Sequence, residues 1–277
     1  MKRGWKRCLT WGLVILVVAG VVWWWKSSPK PDQKIEEKKT EEVVKMGEEI
    51  RFGVMADVHM DWNNFKMAID LAKSRGEKQI VVAGDLTSVG SKKELMAAKK
   101  VLDQSGMLYF VVPGNHDRYT GDKFKEDIFG EVFGKSYQSL KEGSLKLILI
   151  DNGGKAGLGW VQTEWLKKEV DECRVWVCVA VMHMPLENNF SEHVMGEGST
   201  AVTAEAAELV KMLKETGVKE IVAGHLHYAS AYEIDGMRTI LVGSVAEARN
   251  TQTPRFTELT VKDNILNREV VVLEDTQ

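Results

Sequence analysis

The chain of 277 residues contains only three cysteines, five prolines and six histidines. Its cysteines include no closely spaced pair of the zinc-binding type, which excludes a cysteine-based zinc module. Cys173 and Cys178 stand where a strand is expected to begin, and extended chain at about 3.3 Å per residue would hold them too far apart to bridge. Cys178 alternates with Val177 and Val179, which predicts core packing. The cysteines therefore do not indicate whether the protein resides in a reducing or an oxidising compartment.

The body of the chain lacks an excess of basic side chains. Six lysines and arginines precede the first acid, Asp32, and residues 31–277 carry 31 basic against 40 acidic side chains, a net charge of −9. Nonspecific binding to nucleic acid needs a basic face, so the acidic body argues against nucleic acid as a partner. Apolar residues make up 44% of the chain and charged residues 28%, which is enough for a core and excludes disorder by composition.

A long apolar run is confined to the amino terminus. Residues 8–25 contain no charge and are about long enough to cross a bilayer as a helix. Basic residues precede the run and three tryptophans end it, so residues 1–30 are predicted to be a transmembrane signal anchor with a cytoplasmic amino terminus. A cleaved secretory signal, which would release a secreted protein, is the alternative. Residues 31–49 are predicted to be a charged tether, and residues 50–277 the extracytoplasmic domain.

From Ile50 onwards, short apolar runs alternate with amphipathic segments. The runs predict buried strands, and the segments predict helices over about 62–75, from Ser91 to Gly106, from about Val161, and from about Thr203 to Gly217. This alternation predicts an α/β fold with a largely parallel sheet. An Asp-Gly hairpin signal at 235–236 and two later strands predict an antiparallel end to the domain.

Polar residues of the metal-ligating type follow five of these predicted strands. The five segments are Asp57-Val-His59, Gly84-Asp85, Gly114-Asn115-His116-Asp117, His183-Met-Pro185 and Gly224-His225-Leu-His227. The carboxyl ends of parallel strands converge on one crevice, so residues distant in sequence are expected to meet there. Five of the six histidines lie in these segments. Imidazoles, carboxylates and an amide suit first-row ions such as Mn, Fe or Zn rather than calcium, which prefers oxygen ligands.

The ordered set D-x-H, G-D, G-N-H-D, H-x-P and G-H-x-H resembles the calcineurin-like metallophosphoesterase superfamily, from about Ile50 to the carboxyl terminus. Residues 133–154 and 159–170 also resemble its cyclic-nucleotide-phosphodiesterase-like and purple-acid-phosphatase-like branches. The resemblance implies an α+β sandwich of two mixed sheets flanked by helices, with two metals at its rim. The hairpin at 235–236 would then belong to the second sheet.

The same resemblance implies a role for each motif residue. It assigns Asp57, His59 and His227 to one ion, Asn115, His183 and His225 to the other, and Asp85 to both. His116 would be the acid that protonates the leaving group, and Asp117 would either orient His116 or cap the next turn. The implied cofactors are two divalent or trivalent ions (Mn, Fe or Zn) that share a hydroxide nucleophile.

The sequence thus predicts a metal-dependent hydrolase of phosphodiesters or phosphomonoesters, tethered to a membrane. A lipid-linked or nucleotide pyrophosphatase is an alternative within this class, a nuclease is disfavoured by the acidic body, and a noncatalytic scaffold of the same fold is the alternative from another class. Arg118 and Asn152 are the candidate substrate-binding residues, because each closely follows a strand end. His193, in a polar loop, is expected to be mainly a loop residue.

Overall fold

Strands and helices alternate through residues 49–118 and 127–274, the part of the chain that the computed structural model describes. The strands are β1 (Ile50–Met55), β2 (Gln79–Ala83), β3 (Leu108–Val112), β4 (Gln138–Glu142), β5 (Leu145–Ile150), β6 (Val177–Met182), β7 (Glu220–Ala223), β8 (Ala229–Ile234), β9 (Met237–Val242), β10 (Arg255–Lys262) and β11 (Ile265–Val272). The helices are α1 (Trp62–Ser74), α2 (Lys92–Ser105), α3 (Ile128–Phe133), α4 (Gly159–Val170) and α5 (Thr200–Thr216), and a 3-10 helix covers Asp171–Arg174.

Local sequence signals set the ends of the longer helices. The Ser91 hydroxyl accepts a hydrogen bond from the backbone N–H of Glu94 at 3.3 Å, which caps α2 as the sequence predicts. The Glu94 carboxylate accepts from the N–H of Val89 at 3.1 Å and so supports the preceding loop rather than the cap residue. Helix α2 ends at Gly106 and α5 at Gly217, both in the left-handed conformation that glycine favours.

The strands form two mixed sheets. One has the order β11-β10-β1-β2-β3, and the other has the order β4-β5-β6-β7-β9-β8. Strands β1, β2 and β3 are parallel to one another in the first sheet, where β1 also pairs antiparallel with β10, and β5, β6, β7 and β9 are parallel to one another in the second. The hairpin predicted at 235–236 joins β8 to β9 in the second sheet, and the last two strands pair antiparallel in the first. The implied sandwich of two mixed sheets is confirmed; strand–helix alternation alone had predicted a single largely parallel sheet.

Three apolar layers hold this sandwich together. Between the sheets, buried residues such as Phe52 and Val81 of the first sheet cluster with Leu147 and Val179 of the second. Helices α1 and α2 cover the outer face of the first sheet, and α4 and α5 cover that of the second. Because β2 and β6 are covered on both faces, they are apolar throughout, with Gln79 at the start of β2 as the exception. These apolar layers cover the faces of the sheets, and polar residues follow the carboxyl ends of the parallel strands.

The predicted anchor and nearly all of the predicted tether, residues 1–48, lie outside the described residues. Within the described part of the chain, no helix is both long enough and apolar enough to span a bilayer.

The sequence-based expectation for the cysteines is wrong. Cys173 and Cys178 form a disulfide, with their Cα atoms 5.4 Å apart. The expectation assumed extended chain, but Cys173 lies in the 3-10 helix and the chain turns through residues 174–176 before β6 begins. That turn shortens the span between the two residues enough for a covalent bond.

Candidate metal centre

Two groups of potential metal ligands are built from loops of both sheets. The ligand atoms within each group lie within 4.8 Å of one another: the first group is Asp57, His59, Asp85 and His227, and the second is Asp85, His183 and His225. The two groups share one carboxylate, that of Asp85. The convergence predicted from the strand ends is therefore present in the fold.

Asp85 occupies the centre of this arrangement. Its Oδ2 lies 3.3 Å from Nε2 of His183 and 3.6 Å from Nε2 of His59. Its Oδ1 accepts a hydrogen bond from the backbone N–H of His116 at 2.8 Å, which fixes the orientation of the carboxylate. One carboxylate can therefore reach both ligand groups.

The ring nitrogens face one another in a way that fits cation binding. Nε2 of His59 lies 3.1 Å from Nε2 of His227, and Nε2 of His183 lies 3.2 Å from Nδ1 of His225. Two ring nitrogens this close can share either a proton or a cation. The carbonyl of Ala83 lies 2.9 Å from Nδ1 of His183 and accepts its proton in the neutral ring, which leaves Nε2 free to ligate a metal.

Asn115 adds an amide oxygen to the second group. Its Oδ1 lies 3.0 Å from Nε2 of His183. The whole donor set is then four imidazoles, two carboxylates and one amide, which suits Mn, Fe or Zn ions. The seven residues predicted to bind metal are thus brought together by the fold.

The ligand loops have unusual backbone conformations. Five ligand residues that are not glycine have positive φ values: Asp57 (53°), His59 (43°), Asp85 (57°), His225 (71°) and His227 (58°). Residues with a Cβ rarely adopt this left-handed region, and such strain concentrates at functional sites. Hydrogen bonds between the loops maintain it: the N–H of Val58 donates to the carbonyl of Asp85 at 2.8 Å, and that of Gly224 to the carbonyl of His183 at 3.0 Å.

Gly84 is required by the close approach of the loops as well as by its φ of 84°. A Cβ at this position would lie 2.5 Å from Nδ1 of His183 and 2.7 Å from the backbone of Gly114. The glycine at this strand end therefore permits a tight turn and also makes room for a ligand.

Burial and charge perturb the ligands in opposite directions. Burial raises the pKa of Asp57 to about 8 and lowers those of His59 and His225 to about 4 and about 3. Burial also raises the pKa of Asp85, but the charge and hydrogen bond of His183 outweigh burial and hold this pKa well below its usual range. For His183, burial lowers the pKa, but the Asp85 and Asp57 carboxylates outweigh burial and raise it to about 9. A bound cation would favour ionised carboxylates and neutral imidazoles at all of these positions, which are the forms that ligate a metal.

His116 lies beside the first ligand group without joining it. Its ring centroid is 4.9 Å from that of His59, in an edge-to-face arrangement. Nδ1 of His116 lies 2.8 Å from the carbonyl of Ser88, so the backbone of a neighbouring loop orients the ring. This leaves Nε2 as the atom that can exchange a proton with a bound substrate.

Asp117 holds two loops together. Its buried carboxylate accepts hydrogen bonds from the N–H groups of Leu86 (3.2 Å), Thr87 (2.9 Å) and Gly114 (3.0 Å). Burial raises the pKa of Asp117. Asp117 is expected from the sequence either to orient His116 or to cap a turn. These contacts show that it binds the backbone of turns, and the carbonyl of Ser88 is the group that contacts the His116 ring.

The two candidate substrate-binding residues have protein partners in the structure. Arg118 forms an ion pair with Asp151. Asn152 is fully buried, donates to the carbonyl of Met184 at 2.7 Å, and accepts from the backbone N–H of His183 at 3.1 Å. Asn152 thus fixes the turn that carries a metal ligand, which is a positioning contact.

A cleft of about 810 Å³ opens in front of the ligands. Its lining includes three basic side chains that sequence reasoning did not assign to the site: Lys155, His193 and Arg249. The ring of His193 lies 5.5 Å from that of His225, and its Nδ1 contacts the carboxylate of Glu197. A single histidine or arginine in a polar loop belongs to no periodic pattern or motif, so the sequence gives no signal that it lines the cleft.

The family model for calcineurin-like phosphoesterases matches residues 50–229. Among solved structures, a purple acid phosphatase from yellow lupin (Lupinus luteus) aligns with a TM-score of 0.63 at 16% identity, over 84% of this chain and 53% of the lupin chain. This chain therefore spans about half the length of that protein. A dimetal phosphatase from Danio rerio aligns with a TM-score of 0.63 at 13% identity, over 81% of this chain and 96% of that one.

A third structure, described as GAP50, the anchor in the inner membrane complex of Plasmodium, aligns with a TM-score of 0.58 at 15% identity, over 83% of this chain and 86% of that one. No match was found among curated proteins. At these identities the structural likenesses concern the fold. The family model covers well over half of the chain, and all residues of the two ligand groups lie within the matched range. This chain therefore belongs to the calcineurin-like phosphoesterase family.

Proposed function

We propose that this protein hydrolyses a phosphomonoester or a phosphodiester. We also propose that its catalytic domain is tethered to the cytoplasmic membrane and lies outside the cytoplasm. The observation that carries the catalytic part is the position of Asp85, whose carboxylate lies 3.3 Å and 3.6 Å from imidazoles of the two ligand groups. When bound, two metal ions supply a nucleophile near neutral pH and charge stabilisation for the phosphoryl group. The chain's own residues must orient the substrate and move a proton.

His116 is the residue that supplies the proton in this proposal. The Ser88 carbonyl fixes its ring at Nδ1, and His116 lines the cleft beside the first ligand group. From there Nε2 can donate a proton to the oxygen of the departing alcohol, which would otherwise leave as an unstable alkoxide. The backbone N–H of the same residue orients Asp85, so one loop serves both the metal site and proton transfer.

The catalytic proposal is tested with the purified protein loaded with Mn²⁺, Fe²⁺ or Zn²⁺. We expect hydrolysis of p-nitrophenyl phosphate or bis(p-nitrophenyl) phosphate and no hydrolysis of single-stranded DNA. The Asp85→Asn variant should lose this activity, whereas Asp70→Asn, on the exposed face of α1, should retain it. Absence of hydrolysis with every metal would favour a noncatalytic scaffold. The Plasmodium relative is described as an anchor, which is a role of that kind.

Two observations support an extracytoplasmic location. The charge-free run at residues 8–25 follows four basic residues, which favours export of what comes after it. The Cys173–Cys178 disulfide is of a kind that persists in oxidising compartments and is rare in the cytosol. Protease treatment of intact cells tests this: a tethered outer domain should be degraded while a cytoplasmic marker survives. Protection of the domain until the cells are lysed would overturn the proposal.

A further inference from the structure

The loop between β9 and β10 is anchored to the metal site. The N–H of Ala246 donates to the carbonyl of Asp57 at 3.1 Å, and the Ser244 hydroxyl donates to the same carbonyl at 3.0 Å. Within the loop, the Asn250 amide donates to the carbonyls of Ser244 and Ala246 at 3.1 and 3.2 Å. These bonds fix the position of Arg249, which has a left-handed φ of 63° and lines the cleft.

Arg249 differs from most other arginines of this acidic domain. Five arginines lie within 4.0 Å of a carboxylate oxygen: Arg51, Arg75, Arg118, Arg238 and Arg268. Arg249 has no hydrogen bond or ion pair within residues 49–118 and 127–274. An exposed guanidinium facing a cleft, without a carboxylate of its own, is available to an anionic ligand.

Arg249 and His116 lie on the side of the first ligand group. The loop that carries Arg249 is bonded to the carbonyl of Asp57, a member of that group, and the backbone N–H of Glu247 in the same loop donates to the Asp61 carboxylate at 3.2 Å. The His116 ring lies 4.9 Å from the ring of His59 in the same group, and Arg249 and His116 both line the cleft. The proposed proton donor must face the leaving group, so Arg249 lies on the leaving-group side of the cleft.

We infer that Arg249 binds an anionic group on the leaving group, so that the preferred substrates are diphosphates, in which one phosphate is attacked and the other departs. A guanidinium fork matches two phosphate oxygens, whereas an alcohol or phenol offers no such partner. In the reaction, the P–O bond to the bridging oxygen breaks and a P–O bond to the oxygen of water forms. The departing phosphate keeps the bridging oxygen, and one proton of the water passes to it or to solvent.

This inference rests on the proposed metal-dependent phosphoryl hydrolysis at this site and extends its substrates from esters to diphosphates, which are phosphoanhydrides. It is tested with Arg249→Gln and with Arg174→Gln, an exposed arginine outside the cleft lining that serves as the matched control. Each protein, loaded with Mn²⁺, is assayed with inorganic pyrophosphate and ADP as diphosphates and with p-nitrophenyl phosphate as an ester whose leaving group carries no phosphate. Circular dichroism establishes that the variants are folded.

We expect kcat/KM for the diphosphates to fall about 10- to 100-fold in Arg249→Gln, as for the loss of a charge-assisted bidentate contact. The loss for p-nitrophenyl phosphate should be several-fold smaller, Arg249→Lys should recover part of the diphosphate activity, and Arg174→Gln should match the wild type. Calorimetric titration gives a readout without turnover: the affinity for pyrophosphate should fall in Arg249→Gln more than that for inorganic phosphate.

Three results would overturn the inference. They are an equal loss on both substrate types, no loss on either, and a wild-type protein that cleaves the aryl ester but not the diphosphates. Each of these leaves the phosphoesterase proposal standing. A wild-type protein that cleaves none of the substrates and binds neither phosphate nor pyrophosphate would instead remove the proposed function itself.

Discussion

Oδ2 of Asp85 lies 3.3 Å from Nε2 of His183, which joins a carboxylate that follows β2 of one sheet to an imidazole that follows β6 of the other. The contact joins the two sheets of the sandwich, so each residue has a candidate co-ligand that follows a strand of the other sheet. The metal centre is therefore a property of the stacked pair of sheets. Changes at Asp85 should affect both halves of the site together.

The first prediction concerns Asp85→Asn. The amide has nearly the same shape but no negative charge, so it cannot balance two cations. We expect the purified variant to hold fewer than two metal ions per chain by elemental analysis and to lose at least about 100-fold in kcat. Asp70→Asn is the matched control, and unfolding curves should establish that both variants are folded. Full metal content and near wild-type turnover in Asp85→Asn would contradict the central role of this residue.

The second prediction concerns His116→Gln. Because His116 contacts the backbone at Ser88 and is not in either ligand group, metal content should not change. Loss of a general acid costs about 10²- to 10⁴-fold, and most where the leaving group is basic. An alkyl phosphate should therefore suffer a much larger loss in kcat than p-nitrophenyl phosphate. If both substrates lost activity equally, His116 would not be acting as the proton donor.

The third prediction concerns pH and stability at a site away from the metals. Burial and the neighbouring Glu258 carboxylate raise the pKa of Glu77 to about 8, against 4.5 as its ordinary value. Between about pH 4.5 and pH 8, Glu77 is therefore protonated in the folded chain and ionised in the unfolded chain. The stability that this proton contributes is complete below about pH 4.5 and is lost as pH rises through about 8.

The Glu77→Gln variant should remove this dependence, because the neutral amide cannot ionise. Thermal unfolding of the two proteins between pH 5 and pH 9 should give a difference in Tm that moves in favour of the variant as pH rises. Glu208→Gln, at an exposed position on α5, is a suitable control and should keep the wild-type slope. A constant difference across this range would mean that Glu77 is already ionised in the fold.

The fourth prediction concerns the Cys173–Cys178 disulfide. The bond closes a short loop, for which the chain-entropy estimate is about 2 kcal/mol of stability. The Cys173→Ser, Cys178→Ser double variant should lose about this much in urea unfolding and retain phosphatase activity, since neither cysteine lines the cleft. In the denatured full-length chain without reductant, a thiol assay should find one free cysteine, Cys8. Three free thiols from protein purified under oxidising conditions would show that the bond is absent.

The sequence predicted every strand except β4, the four longer helices and the seven candidate ligand positions, because these depend on local signals; β4 and α3 were not predicted. An apolar run followed by Gly-Asp or Gly-Asn-His marks a buried strand and its polar end, wherever the strand later packs. The resemblance in motif order then supplied the second sheet, which strand–helix alternation alone did not. The N-terminal anchor stays a prediction, since it lies outside the described residues.

The roles of the neighbouring residues depended on contacts between loops. Asp117, Asn152 and Arg118 each follow a strand end closely, as ligands do, yet their side chains bind backbone groups or Asp151. His193 and Arg249 have no sequence pattern and nevertheless line the cleft. Sequence spacing could not separate these cases, because it gives a residue's place along the chain and not which loop faces it.

The sequence by itself determined where each strand ends and which side chain stands there, because backbone turns and hydrophobic periodicity act over a few residues. Only the tertiary structure decided that Cys173 turns back to meet Cys178 and that, among the residues the structure describes, Arg249 has no carboxylate partner. Those outcomes depend on how two sheets stack and how their loops hydrogen-bond, and such contacts join residues far apart in the chain.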